Sequence, residues 1–302
     1  MGKNPSLHCV AFLVAILTLV FHQSAFASRI TLAWDPSTGA TGYRVYLGRA
    51  SGTYEATIDV GNTRTCALTN LSPGQRYFFA VTARNAFGES GPSAEVNGIA
   101  PYDFNDDRKT DILWRNRSTG QSAVWLMNGT ALVSDMSLLP VGDPNWEIAG
   151  TADFNGDGKV DLLWRNRSTG ENSVWLMSGT NLVSGVPLPP VADPNWKIVG
   201  TADFNGDGQA DLLWRNQSAG KNSVWLMSGT DLVSGVSLLP VVDPNWEIVS
   251  TADFNGDGQA DLLWRNLSTG QNSVWLMKGT DLVSNVSLLP VVDPNWEIVG
   301  PK

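Results

Sequence analysis

Residues 203–216 read Asp203-Phe204-Asn205-Gly206-Asp207-Gly208-Gln209-Ala210-Asp211-Leu212-Leu213-Trp214-Arg215-Asn216, an acidic, glycine-bearing loop running straight into an apolar stretch. The same pattern stands at 153–166 and 253–266 and, as a variant, at 103–116, so from Asp103 onward the chain repeats every 50 residues, four times, without a gap. Residues 201–250 and 251–300 agree at 44 of 50 positions. A period of this length marks a stacked repeat architecture, in which no unit buries its apolar surface alone.

Within the last unit, Trp246-Glu247-Ile248-Val249 reads as a strand, and the acidic loop leads to a second at Leu262-Leu263-Trp264-Arg265. A third is Ser273-Val274-Trp275-Leu276-Met277 and a fourth lies around Leu282 to Leu289, with Gly-, Pro- and Asx-bearing turns between them. Leu262 and Trp264 point to one side and Leu263 to the other, so both faces of the sheet are apolar and must be covered. Radial packing of such sheets around an axis covers both faces, and the expected fold is a β-propeller of four 50-residue repeats. The first unit lacks a leading Trp-Glu-Ile-Val strand, while a surplus one stands at Asp293-Pro294-Asn295-Trp296-Glu297-Ile298-Val299. That strand is expected to complete the first blade and clasp the ring; an open arc, or two chains sharing an eight-bladed ring, stays open as the alternative, with self-association as its consequence.

The loops carry the chemistry. Oxygen side chains fall at positions 1, 3, 5 and 9: Asp103, Asn105, Asp107 and Asp111; Asp153, Asn155, Asp157 and Asp161; Asp203, Asn205, Asp207 and Asp211; Asp253, Asn255, Asp257 and Asp261. With the backbone carbonyls of Lys109, Lys159, Gln209 and Gln259 at position 7, each set can surround a hard cation, and calcium, with its six to eight oxygens in loose geometry, suits it better than magnesium. This is not an EF-hand, because position 12 is Trp164, Trp214 or Trp264 inside a strand rather than a bidentate Glu. Gly158, Gly208 and Gly258 supply the sharp turn at position 6, where the first loop has Arg108. Up to four calcium ions are expected, the first site weakest. Positions 1, 5 and 9 of the four loops hold 12 of the 29 acids, carboxylates that repel one another unless a cation intervenes.

The chain opens differently. Residues 1–27 have one basic residue, Lys3, then an apolar run from Cys9 to Phe21 and an Ala25-Phe26-Ala27 exit, the pattern of a secretory signal peptide. That run is shorter than the roughly 20 residues a spanning helix needs. No membrane span is therefore expected once it is removed, and the localisation expected is extracellular or at the cell surface. Both histidines, His8 and His22, lie in this segment, which leaves Cys66 as the one cysteine beyond it. A Ser-His-Asp triad, a His-ligated zinc and an intrachain disulfide are all excluded from the remainder. Without Lys3 the chain carries 19 basic against 29 acidic residues, a net of −10 that makes nucleic acid a poor partner.

Residues 28–100 carry no repeat and alternate in Tyr43-Arg44-Val45-Tyr46 and Tyr77-Phe78-Phe79-Ala80-Val81, as one small sandwich does. With Trp34, Leu71-Ser72-Pro73-Gly74-Gln75-Arg76-Tyr77 and the run from Asn85 to Ser93, this segment resembles a fibronectin type III domain, the Leu-x-Pro-x-x-x-Tyr stretch matching its tyrosine corner. Trp34 then falls on the family's second strand, so the first is missing or lies within residues 1–27. Residues 101–302 resemble the calcium loops of FG-GAP and VCBS repeats, found in integrin alpha-chain propellers and many bacterial secreted proteins. The bacterial type, with its Trp-Arg-Asn strand, is the nearer likeness, and integrin ligand binding is not carried over.

The function expected on these grounds is that of a secreted calcium-binding propeller for interaction or adhesion, its protein or glycan ligand unidentified. A lectin-like, carbohydrate-binding role is the alternative, since each unit holds three Trp such as Trp246, Trp264 and Trp275; filling the wedge between blades is the plainer use of those rings. Arg115, Arg165, Arg215 and Arg265 follow a Trp in each unit and suit pairing with a carboxylate or stacking on an indole. Asn116, Asn166, Asn216 and Asn266 stand in glycosylation sequons but also where turns favour Asn. A glycoside hydrolase is the least favoured reading, because identical units do not build one asymmetric active site, and no enzyme is expected.

Overall fold

A computed structural model describes residues 17–19, 30–49, 51–68, 71, 76–99, 102–107, 109–255, 257, 259–293 and 295–298, and among them the chain is all-β. Strands β1 (Leu17–Leu19), β2 (Ile30–Trp34), β3 (Gly42–Gly48), β4 (Ala56–Gly61), β5 (Thr65–Leu68), β6 (Arg76–Asn85), β7 (Gly88–Glu89) and β8 (Val96–Ile99) form two antiparallel sheets. One is ordered β1-β2-β5; the other is β4-β3-β6-β7, with β8 also on β6. The period of two turns Ile30, Leu32 and Trp34 of one sheet toward Tyr43, Val45, Phe79 and Val81 of the other, which fuses them into one core. Trp34 and Tyr43 meet there with ring centroids 5.7 Å apart. The strand that precedes Trp34 is Leu17–Leu19, paired Leu17 to Trp34 and Leu19 to Leu32. The remainder of the expected leader, 1–16 and 20–27, and positions 72–75 of the tyrosine corner lie outside the described residues.

The repeats form four successive sheets. The first holds β9 (Ile112–Arg115), β10 (Ser122–Asn128) and β11 (Ala131–Ser137). The second holds β12 (Trp146–Ala152), β13 (Asp161–Asn166), β14 (Asn172–Ser178) and β15 (Asn181–Leu188), in that spatial order. The third, β16 (Trp196–Ala202), β17 (Asp211–Asn216), β18 (Lys221–Ser228) and β19 (Asp231–Leu238), and the fourth, β20 (Trp246–Ala252), β21 (Asp261–Asn266), β22 (Asn272–Lys278) and β23 (Asp281–Leu288), repeat it. Each blade is thus a four-stranded antiparallel meander, except that β9 has a neighbour on one side alone among the described residues. A one-residue slip between Ile148 and Gly150 recurs at Ile198 and Gly200 and at Ile248 and Ser250, adding twist at the same point of each inner strand.

Every residue of β13, β17 and β21 is buried, as two covered faces demand. Blade pairs share their cores: Phe104, Val124 and Leu138 of the first meet Leu162, Trp164 and Met177 of the second. Phe154, Leu163 and Leu188 of the second meet Leu212, Trp214 and Met227 of the third, and Phe204, Leu213 and Leu238 of the third meet Leu262, Trp264 and Met277 of the fourth. No such cluster joins the fourth blade to the first among the described residues. The expected clasp is accordingly not seen among the described residues, where β9 pairs with β10 alone and Trp296 to Ile298 lie in no strand; Pro294 and Val299 of the clasp segment lie outside them.

Candidate metal centre

The second, third and fourth acidic loops each join the first strand of a blade to its second, as 153–160 joins β12 to β13, and the first loop leads into β9. In the second loop Asp153 Oδ1 accepts the N–H groups of Gly156 and Asp157 at 2.8 and 3.1 Å, and its Oδ2 accepts that of Gly158 at 2.7 Å. Asn155 Oδ1 shares the Asp157 N–H at 3.0 Å, and Asp157 Oδ1 takes the Lys159 N–H at 2.9 Å. Positions 1, 3 and 5 therefore wrap one short stretch of backbone. The third loop repeats the set through Asp203, Asn205 and Asp207, with Asp207 Oδ1 accepting the Gln209 N–H at 2.8 Å. Asp253, Asn255 and Asp257 with Gln259, and Asp103, Asn105 and Asp107 with Lys109, keep the bonds centred on Asp257 and Asp107.

Position 9 does something else. Asp161 Oδ2 accepts the Phe154 N–H at 2.9 Å and its Oδ1 the Met177 N–H at 2.8 Å, which fastens the loop to β14. Asp111, Asp211 and Asp261 make the same pair of bonds in their blades. These carboxylates are buried with no basic side chain bonded to them among the described residues, so desolvation pushes Asp161 up to about 7 and Asp211 up to about 6, against the lowering by their two N–H donors. Asp111, Asp153 and Asp261 are raised too, burial again being the main cause.

The donor set consists of oxygen throughout, which is the chemistry of a hard divalent cation. Each carboxylate oxygen that accepts one N–H retains a second lone pair. As they stand, no three Asp, Glu, His or Cys side chains among the described residues are drawn into a metal-holding cluster. Positions 1, 3 and 5 lie side by side against backbone N–H groups, and position 9 is tied off to Phe and Met N–H groups.

Three features were not singled out from sequence. Phe104, Phe154 and Phe204 at position 2 are buried and pin each loop to the next blade; the Phe recurs in every copy of the quoted stretch and was the available signal. Position 4 also needs a left-handed backbone: Gly156 and Gly206 have φ of +74° and +79°, and in the first loop Asp106 takes φ +65°. Arg108, which stands at position 6 of the first loop in place of Gly, lies outside the described residues. Lastly, Arg49 of the sandwich donates from Nη1 to Asp203 Oδ2 and from Nε to Glu55 at 3.1 Å, placing a guanidinium on position 1 of the third loop.

The tryptophans and arginines have structural places. Trp164 and Trp175, Trp214 and Trp225, and Trp264 and Trp275 pack with centroids 4.8–4.9 Å apart, and Arg115, Arg165 and Arg215 each lie over the Trp of the next blade at 4.9 Å. Asn166 is buried, its Oδ1 accepting the Ser168 and Thr169 N–H groups and its Nδ2 donating to Asp143. That turn role accounts for its sequon. One cavity of about 490 Å³ opens between Trp196, Trp214 and Trp225, with Lys221, Asn222 and Ser223 on its wall.

An all-β sandwich followed by successive four-stranded sheets with in-register acidic loops defines an all-β repeat protein. The chain belongs to the family of FG-GAP-like repeat proteins, matched at 103–164, 153–214 and 203–264, together more than half its length. Residues 17–99 match the fibronectin type III domain. Both are domain types of extracellular or interaction proteins. No helix among the described residues is long and apolar enough to cross a membrane.

A Kelch domain-containing protein, SSO1033, of Saccharolobus solfataricus is 35% identical over 73 residues, which cover 24% of this chain and 10% of that protein. This chain thus spans about a tenth of the length of that relative. Among solved structures, an Fn3-like protein from Clostridium thermocellum is 26% identical, covers 29% of this chain and 91% of its own, and superposes with a TM-score of 0.26. The fn3 domain of human collagen alpha-1(XX) chain is 25% identical, covers 33% and 90%, and has a TM-score of 0.25.

Proposed function

We propose that this chain is a secreted, calcium-binding interaction or adhesion module and not an enzyme, its blade loops each holding a hard divalent cation and the sandwich acting as a spacer. The observation that carries the reading is the in-register recurrence of oxygen side chains at positions 1, 3 and 5, wrapped around one short stretch of backbone, followed by a buried position-9 carboxylate, Asp111, Asp161, Asp211 or Asp261, that has no basic side chain bonded to it among the described residues to supply a compensating positive charge. A divalent ion drawn in by positions 1, 3 and 5 supplies that charge and stiffens the turn on which the next blade rests. Export through residues 1–27 belongs to the same proposal and places the loops where calcium is plentiful; cleavage after that segment takes β1 with it and leaves the first sheet of the sandwich as β2 and β5.

The test is calorimetric titration of chelator-stripped protein with calcium and, separately, magnesium. Calcium binding at several sites with a rise in melting temperature is expected; no heat and unchanged melting with either ion would sink the reading. The Trp-lined cavity beside Lys221, Asn222 and Ser223 favours a second reading, carbohydrate binding, because an indole face with flanking hydrogen-bonding groups suits a sugar ring. A glycan screen with and without calcium separates the two.

A further inference from the structure

The three blade junctions are copies of one another. Arg115 lies over Trp164, Arg165 over Trp214 and Arg215 over Trp264, each at 4.9 Å. The turn glycines Gly179, Gly229 and Gly279 rest against the carbonyls of Phe104, Phe154 and Phe204 of the preceding blade. Equal contacts mean an equal step from blade to blade. Were that step a quarter turn, the fourth blade would meet the first in the same way, with Arg265 over Trp114 and the Gly129 turn on Phe254.

Neither contact exists among the described residues. Gly129 has nothing beside it, and no ring lies over Arg265. Trp114 is 47% exposed, against 1% for Trp164, Trp214 and Trp264. β9 alternates between exposed and half-buried, although the matching strands are buried throughout. On the far side of the fourth blade Leu288 is 44% exposed, against 5% for Leu188 and 7% for Leu238, and Phe254 is 39% exposed. Among the described residues the first and fourth blades thus present two unlike apolar faces, one bearing Ile112 and Trp114 and the other Phe254 and Leu288, that are the two halves of an interface made three times between successive blades.

We propose that these faces dock on a second copy of this chain, head to tail and twice over, so that two chains close one ring of eight blades. The occupant follows from continuity: the surface that fits Ile112 and Trp114 is a blade's Phe-and-Leu face, and the fourth blade offers one. Eight blades also lie within the range that β-propellers adopt, and a heterologous contact of this kind either closes or polymerises. The same docking brings Trp296 to Ile298 of one chain to the open edge of β9 in the other. The register is fixed by the repeat: Trp146 pairs with Asn166, Glu147 with Arg165 and Ile148 with Trp164, so Trp296 pairs with Asn116, Glu297 with Arg115 and Ile298 with Trp114. This inference does not depend on calcium binding.

Sedimentation equilibrium of the full chain, across a wide concentration range, reads the outcome. The mass of two chains is expected. Ile112→Glu spoils one face and Leu288→Glu the other, both at exposed positions, so each variant should fold, as far-UV circular dichroism will check, and each alone should be monomeric. Mixed together, they should form a heterodimer through the one intact pair of faces. Phe254→Glu replaces Leu288→Glu should that variant fail to fold. A wild-type monomer at all concentrations overturns the proposal, and so does either variant dimerising by itself, which requires a like-to-like interface.

Discussion

The Arg165 guanidinium lies 4.9 Å from the centre of the Trp214 ring one blade further on, while its other edge donates to Asn172 Oδ1 at 2.9 Å and to the Val191 carbonyl at 3.1 Å. One side chain thus ties its own outer strands, the exit segment and the neighbouring blade together, with burial lowering its pKa below that of a free Arg. Arg165→Ala leaves carbonyls unbonded and an indole face bare. The expected loss is about 3 kcal/mol, from a desolvated cation–π contact and two or three hydrogen bonds. Urea unfolding should show the midpoint falling, and Arg165→Lys should recover less than half, since an ammonium cannot serve the ring and the fork of acceptors together.

A second prediction concerns Gly170, at φ +77°, where a Cβ would stand 2.1 Å from the Val191 carbonyl oxygen. Val191 N–H bonds back to the Gly170 carbonyl at 2.8 Å, so the two segments cannot separate without losing that bond. Gly170→Ala should cost more than about 2 kcal/mol, combining overlap with left-handed strain. Gly129, at φ +63° with nothing within 4 Å, is the control, and Gly129→Ala should cost only about 1 kcal/mol. Equal midpoints for the two variants in urea would contradict the packing argument.

The blades were legible because their chemistry repeats: Leu162, Leu163 and Trp164 are apolar on both faces, and only a sheet covered on both sides accepts that. The loop oxygens were legible by spacing, and Arg165 by its fixed place after Trp164. What spacing could not convey is direction. Asp161 stands at a ligand position in sequence, yet its two oxygens face the N–H groups of Phe154 and Met177, a matter of where β14 passes. Leu17 to Leu19 was hidden for another reason. Three apolar residues inside a longer apolar run carry no period, and only pairing with Leu32 and Trp34 identifies them as a strand. Whether Trp296 to Ile298 reaches β9 was not legible because it depends on the blade-to-blade angle, which residue types do not encode locally.

The raised carboxylates give a pH prediction with a definite sign. Asp161 titrates near 7 and Asp211 near 6 in the fold, whereas an unfolded Asp titrates near 3.9, so between these values the native state holds more protons. Stability of calcium-stripped protein is then fully present below about pH 4 as far as these groups are concerned, and it is lost as pH rises through 6 and 7. Saturating calcium offsets the burial of the anions and should remove most of that loss. Melting temperatures near about pH 4.5 and 7.5, with chelator and with calcium, should show a drop of about 5 °C or more in chelator alone, at roughly 2–4 °C per kcal/mol. A chelated protein that melts higher at the upper pH contradicts the assignment.

Arg49 on Asp203 sets up a competition at the third loop. The pair is largely shielded, with 12% of the Arg49 side chain and 6% of the Asp203 side chain exposed, so screening by solvent is modest. Bringing a divalent ion to positions 1, 3 and 5 of the third loop places two further positive charges close to the guanidinium, and at an effective dielectric near 20 each costs about 3 kcal/mol at ~5 Å. The ion must expel Arg49 or bind weakly. Arg49→Ala should therefore tighten calcium at the third loop by about tenfold or more, equivalent to at least ~1.4 kcal/mol, and Arg49→Lys should restore part of the antagonism. The measurement is a calcium titration in a background carrying Asp103→Asn, Asp153→Asn and Asp253→Asn, which leaves the third loop as the one intact site. By the same linkage, calcium should loosen the sandwich from the repeats, read as faster proteolysis between residues 99 and 102 when the ion is added, and that acceleration should vanish in Arg49→Ala. An unchanged calcium affinity in Arg49→Ala would show that the guanidinium leaves Asp203 without cost.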